Sequence, residues 1–221
     1  RHMQRVDAEK HVAAAALAAA GFDVLLTDAT HVMLRDATPS LHALSKVGGV
    51  DAAVARIGNS TGKPPLGVGA AWSLVFLRGT GSAEERERAV RWQLAGVQLG
   101  LVDFYLRWWN GNHCILGGFQ KLWQGCNPTL EAGVTPEAMV TREEPAIATC
   151  HGGAAGGLRL AVLPTSFFAA TVLYGRNEPG GAVFGRAAKP AQRDRLRLDR
   201  YDAQDFEEMV TAMKADGLWL L

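Results

Sequence analysis

Long apolar runs are missing from this chain. Nothing in its 221 residues approaches the roughly 20 consecutive apolar residues that a membrane-spanning helix needs, so no transmembrane segment is expected. A dominant charge is missing too. The 23 basic and 22 acidic side chains leave a formal net charge of +1, which gives no bulk attraction to nucleic acid or an anionic membrane. Arg1-His2-Met3 lacks the pattern of a signal peptide. His2-Met3 reads as a cloning remnant, so the native chain is expected to begin further upstream. The sequence is read as one domain over residues 1–221 or as a piece of a larger chain.

Cysteine is scarce. Cys114, Cys126 and Cys150 form no Cys-x-x-Cys pair, which argues against a zinc ribbon or a thioredoxin-type site. Their spacing allows a Cys114–Cys126 disulfide with one thiol left over, and equally three buried free thiols. Several signatures are absent as well. "GNSTGK" at 58–63 has the wrong spacing for a phosphate-binding loop, and Pro64-Pro65 would block the helix that must follow. There is no G-x-S-x-G elbow and no complete dinucleotide fingerprint. None of the six histidines has a helical metal-ligand spacing with a carboxylate between. Cys150 and His151 are adjacent, so on a strand they would point to opposite faces. Asn59-Ser60-Thr61 is a glycosylation sequon that matters only in a secretory compartment.

What is present is ordinary globular material, 48% apolar and 20% charged. Asp7 opens an alanine-rich helix that Gly21 ends, and Phe22–Thr27 follows as a short buried strand. This helix–glycine–strand unit points to an α/β fold. A short helix runs from Pro39-Ser40 to Lys46, a strand covers Val50–Ile57, and Gly58–Gly69 is a loop. Ala70–Arg78 reads as a central strand. Ser82 and Glu85 form a capping box for a long helix to about Gly100, with Glu84, Glu85 and Glu87 in its first turns. Residues 102–123 carry Trp108, Trp109 and Trp123 with His113 and Cys114, read first as a helix end packed under a loop. The alternative is an aromatic surface for a protein partner. Thr135-Pro136-Glu137 starts a short helix, "GGAAGG" at 152–157 precedes a strand over Leu158–Leu163, and an apolar run covers Phe167–Tyr174. The basic stretch 184–200 reads as a solvated loop. A last helix spans about Asp202–Asp216.

"AGFDVLLTDATHVMLRDATPSL", residues 20–41, resembles the central motif of the nucleotide-diphospho-sugar transferases. This GT-A-fold group includes plant extensin arabinosyltransferases and pectin xylosyltransferases. Lys10, "LRLAVLPTSFFAA" at 158–170 and the closing "MKADGLWLL" at 213–221 resemble family elements as well. The resemblance implies a GT-A-like mixed sheet flanked by helices, and transfer of a sugar from a nucleotide-diphosphate donor to a glycan or protein acceptor. It implies Mn²⁺ or Mg²⁺ held by Asp28 against the diphosphate, since hard oxygen ligands suit these ions. Thr30 would assist, Asp103 stands nearest to the family's Asp-Gln pair, and Arg35-Asp36 would brace the strand end. Arg35, Arg186 and Arg193 would meet phosphates. Golgi or secretory lumen is the implied compartment.

The chain departs from the family pattern where the chemistry lies. Thr30 replaces the second acid of Asp-x-Asp, Ala71-Trp72-Ser73 replaces an Asn-x-Gly, Asp103 lacks its glutamine, and Phe184 stands near the place of a histidine. Only about twenty helical residues precede Phe22, so the usual N-terminal strands that hold the nucleotide base are lacking. An alternative reading is therefore a catalytically degenerate module with a structural or protein-interaction role. A third is an unrelated α/β binding domain, which gains if Phe22–Thr27 stands at a sheet edge.

Overall fold

The computed structural model describes residues 2–27, 31–33, 36–46, 49–57, 69–107, 115–131, 145–163, 168–172, 184–187 and 211. Its first helix, α1 (His2–Ala19), begins before the expected Asp7 and ends where expected. Gly21 takes φ +96°. Its N–H donates to Ala18 O and that of Phe22 to Leu17 O. This left-handed closure satisfies the last carbonyls and turns the chain back on the helix, a conformation glycine adopts without a Cβ penalty.

The strands that follow are β1 (Val24–Leu26) and β2 (His31–Met33), then α2 (Thr38–Lys46), β3 (Ala52–Ile57) and β4 (Gly69–Leu77). The long helix α3 (Ala83–Arg107) outruns its expected end at Gly100. Its start is the expected capping box. Ser82 N–H donates to Glu85 Oε2 at 2.7 Å, and Glu85 N–H donates to Ser82 Oγ at 3.3 Å. Next come α4 (Ile115–Gly125), β5 (Thr129–Leu130), β6 (Ala146–Thr149), a single 3-10 turn at Gly153–Ala155, β7 (Arg159–Leu163), β8 (Phe168–Val172) and β9 (Phe184–Ala187).

Six strands form one mixed sheet in the order β1-β4-β3-β7-β6-β5. The β3–β7 pair is parallel; the pairs β1–β4, β3–β4, β6–β7 and β5–β6 are antiparallel. The fold is thus α/β with a mixed sheet flanked by helices, as expected. Alternation sorts the side chains to two faces. Ala52, Val54, Val75, Leu77, Leu160 and Val162 face α1, α3 and α4. Ala53, Ala55, Leu74, Phe76, Ala161 and Leu163 face the other way, toward Leu44 of α2 and Ala37 just before it. Ala52–Ala55 of β3 are buried on both faces, which is why this stretch reads as a continuous apolar run.

On the three-helix face, α1 packs on α3 and α3 on α4. Small residues permit the second contact: a Cβ on Gly118 of α4 would run into the backbone of Gly96 and Gly100 of α3. Phe119 fills the junction, its ring 5.4 Å from Trp92 and 4.9 Å from His11. Buried His11 and Gln93 face each other with Nδ1 and Nε2 2.6 Å apart, so α1 is keyed polar-to-polar onto α3.

Two expectations are corrected here. The strand carrying the motif was expected buried, yet among the described residues β1 stands at the edge of the sheet, half-buried throughout, and Phe22 is 62% exposed. An edge strand has a neighbour on one side only, so its apolar composition does not make it a core strand. The cysteine alternatives also give way. Cys126 is bonded to Cys150, with Cα atoms 5.0 Å apart, and Cys114 lies outside the described residues. The pairing joins the end of α4 to the turn after β6, two points far apart in sequence.

Candidate functional site

The motif that carries the sugar-transferase resemblance begins on β1, and its first acid follows two residues after Leu26. Asp28, Thr30, Arg35 and Arg193 lie outside the described residues. Backbone pairing places one of the predicted residues, Arg186. β2, one residue after Thr30, pairs antiparallel with β9 and sets Arg186 opposite His31. β8 completes this three-stranded sheet by pairing parallel to β9. The start of the basic stretch, expected as loop, is therefore a strand. Its apolar Phe184 sits in register with Met33, an alternation that the surrounding charges mask in the sequence. Asp103 lies on α3 and is not among the residues that β2 and β9 bring together.

Asp36 has a different task from bracing the strand. Its Oδ1 accepts the N–H of Thr38 at 2.9 Å and so caps α2. That bond holds the Asp36 carboxyl below its ordinary pKa. Lys10 pairs with Asp7 at 2.9 Å along α1.

The strongest polar constellation centres on Asp51, which is fully buried at the start of β3. Arg88 of α3 donates to it from Nε at 2.9 Å and Nη2 at 3.0 Å, and the backbone N–H of Arg159 donates at 2.8 Å. The main chain of Asp51 also receives Arg78 N–H and donates to Arg159 O. Burial pushes the Asp51 carboxyl up, against the pull of Arg88 and the Arg159 N–H. Asp51 in turn holds the Arg88 guanidinium above its ordinary value. Both carboxylate oxygens are occupied, so this group fastens β3, β4, β7 and α3 and serves architecture. The sequence carried one signal for it: "GVDAAVA", an acid inside a run buried on both faces, demands a partner.

Asp23 works in the same way at the sheet edge. Its Oδ1 accepts the N–H of Gly79 and of Thr80 and the Thr80 hydroxyl, each at 2.9 Å. It locks the entry to β1 against the turn after β4. Gly79 is required there because a Cβ would strike the backbone of Phe22. Arg78 and Glu85 meet at 3.4 Å. His151 shares a 2.7 Å hydrogen bond with Thr129, while Cys150 is committed to its disulfide.

A groove of about 410 Å³ runs between α3, α4 and the 3-10 turn, with Leu99, Val102, Lys121, Leu122, Gly152 and Ala154 among its walls. None of the predicted site residues lines it. Among the aromatic residues expected to serve a partner, Trp123 is 2% exposed and belongs to the core; Trp108 and Trp109 lie outside the described residues. Among the described residues, no group of three or more His, Cys, Asp or Glu side chains is placed to hold a metal ion. No described helix is long and apolar enough to cross a membrane. No protein-family model, curated protein or solved structure matches this chain.

Proposed function

We propose that the chain is a glycosyltransferase-like α/β module that acts by binding another polypeptide rather than by transferring sugar. One observation carries this reading: among the described residues β1, the strand that leads into the motif, pairs on one side only, and the apolar Phe22 just before it is open to solvent. An unpaired strand edge presents N–H and C=O groups in a row, and it invites a partner strand. The described acids nearest to it are used for architecture, Asp23 on the β4–α3 turn and Asp36 on α2. The edge position favours binding over transfer, and it equally favours an α/β binding domain outside the family, which would use the same surface. The Cys126–Cys150 disulfide supports an oxidising compartment, in keeping with a secretory lumen.

A second reading, active transfer, is supported by the placement of Arg186 opposite His31. There Asp28 and Arg186 would share the binding of a nucleotide diphosphate, the arginine contributing charge-assisted hydrogen bonds to phosphate. Calorimetric titration of UDP into folded protein, with and without Mn²⁺, separates the two. The module reading expects no binding. Mn²⁺-dependent binding that disappears in Asp28→Asn would overturn it, and metal-independent binding lost in Arg186→Ala would do the same.

A further inference from the structure

The groove between α3, α4 and the 3-10 turn has rigid walls. On α3 they are one helical stripe, Ala95, Gln98, Leu99 and Val102, spaced i, i+3, i+4 and i+7. On α4 they are Lys121, Leu122 and Gly125. The α4 wall is fastened to the turn just beyond Gly125, by the Cys126–Cys150 bond and by Cys126 O, which accepts the N–H of His151 at 2.8 Å and of Gly152 at 3.1 Å. Glycine leaves part of the lining as bare backbone. A Cβ on Gly125 would meet nothing within 4 Å, and one on Gly152 or Gly153 would meet only Gly125 O at 3.9 Å. The space that side chains would take is therefore left to the groove.

We propose that this groove binds a small apolar monocarboxylate, its hydrocarbon part against Leu99, Val102 and Leu122 and its carboxylate at Lys121. Two observations select that ligand. The volume of about 410 Å³ falls among small-molecule sites, roughly 300–1,000 Å³. Among the described residues that line the groove, Lys121 is the only charged one, so a single negative charge is matched and a cation is repelled. Lys121 is engaged within the chain, and the three N–H donors of an ammonium let it bond a carboxylate as well. Leu99 is 37% and Val102 47% exposed, and a hydrocarbon tail laid on them takes that apolar area out of water. Walls already fixed by the disulfide need little ordering when the ligand enters.

Calorimetric titration of decanoate, kept below its micellar range, into the 221-residue chain tests the site. The expected result is saturable uptake of one decanoate per chain, with a dissociation constant on the order of 10–100 μM. Decylammonium has a similar tail and the opposite charge, and it should bind about tenfold or more weakly. Lys121→Gln should remove that preference by weakening decanoate about tenfold. Val102→Glu sets a like charge on the wall and should abolish decanoate binding. At a position already exposed, it should leave the helix content by circular dichroism unchanged. Gly125→Ala meets no atom within 4 Å, so it should fold normally and weaken decanoate by narrowing the groove. Absence of saturable uptake by the folded wild-type chain would overturn the proposal and leave the groove to a polypeptide. Equal affinity of the wild type for decanoate and decylammonium would overturn it too, as would uptake that Val102→Glu leaves unchanged. No residue of the β1 edge lines the groove, so the site stands or falls apart from the module reading.

Discussion

Asp51 and Arg88 show how an ionic pair can be structural here. Both oxygens of a fully buried carboxylate are engaged, and the same residue fastens three strands and a helix. Replacing Asp51 with Ala removes the buried partner of the Arg88 guanidinium, which keeps its 3.0 Å bond to exposed Glu84, and leaves the Arg159 N–H without its acceptor. The expected cost is about 3–5 kcal/mol, read as a fall in the urea midpoint with unchanged slope. Glu85 gives the pH-dependent counterpart. The Ser82 N–H, aided by the Ser82 hydroxyl and by Arg78 and Arg88, holds its carboxyl below the ordinary 4.5. A depressed folded-state pKa means that the unfolded chain binds more protons in this window. The stabilisation is complete above about pH 4.5 and is lost as pH falls through the folded value. Glu85→Gln should therefore flatten the stability profile below pH 4.5 and leave the slope above it nearly unchanged, which thermal melts across pH 3–6 would register.

At the scale of elements, legibility follows how local the determining interaction is. The start of α3 was legible because Ser82 and Glu85 are three residues apart and bond reciprocally. The end of α1 was legible because one glycine closes it. The buried status of β1 was misread because a short apolar run cannot tell an edge strand from a central one. The Cys126–Cys150 bond escaped because residues 24 apart are joined only by the packing of α4 against the turn after β6. Closing a loop of that size stabilises by about 3 kcal/mol in the chain-entropy view. The double replacement Cys126→Ala/Cys150→Ala should lower stability by roughly that amount, while the protein retains its helix content by circular dichroism. The α3–α4 seam is more demanding. Gly118→Ala forces a methyl against the backbone of Gly96 and Gly100, and it should cost about 1–3 kcal/mol or more, as overpacked cores do. A larger loss in Gly118→Ala than in Gly117→Ala is the specific expectation, because a Cβ on Gly117 meets nothing within 4 Å.

Across the whole molecule, the mixed sheet with three helices on one face and α2 on the other was implied by alternating helix and strand patterns. The candidate site was legible only in part. The sequence named Arg186 as a phosphate-binding residue, and the β2–β9 pairing sets it opposite His31. It could not separate Asp23, Asp36 and Asp51 by role, because which donors reach each carboxylate depends on contacts such as Asp23 to Thr80, 57 residues away. The edge at β1, which among the described residues pairs on one side only, is the surface on which the proposed function rests. The most direct measurement is amide hydrogen exchange over residues 12–26 with and without added UDP and Mn²⁺. An interaction module leaves these amides indifferent to the nucleotide. Protection that follows UDP and Mn²⁺ would contradict the account.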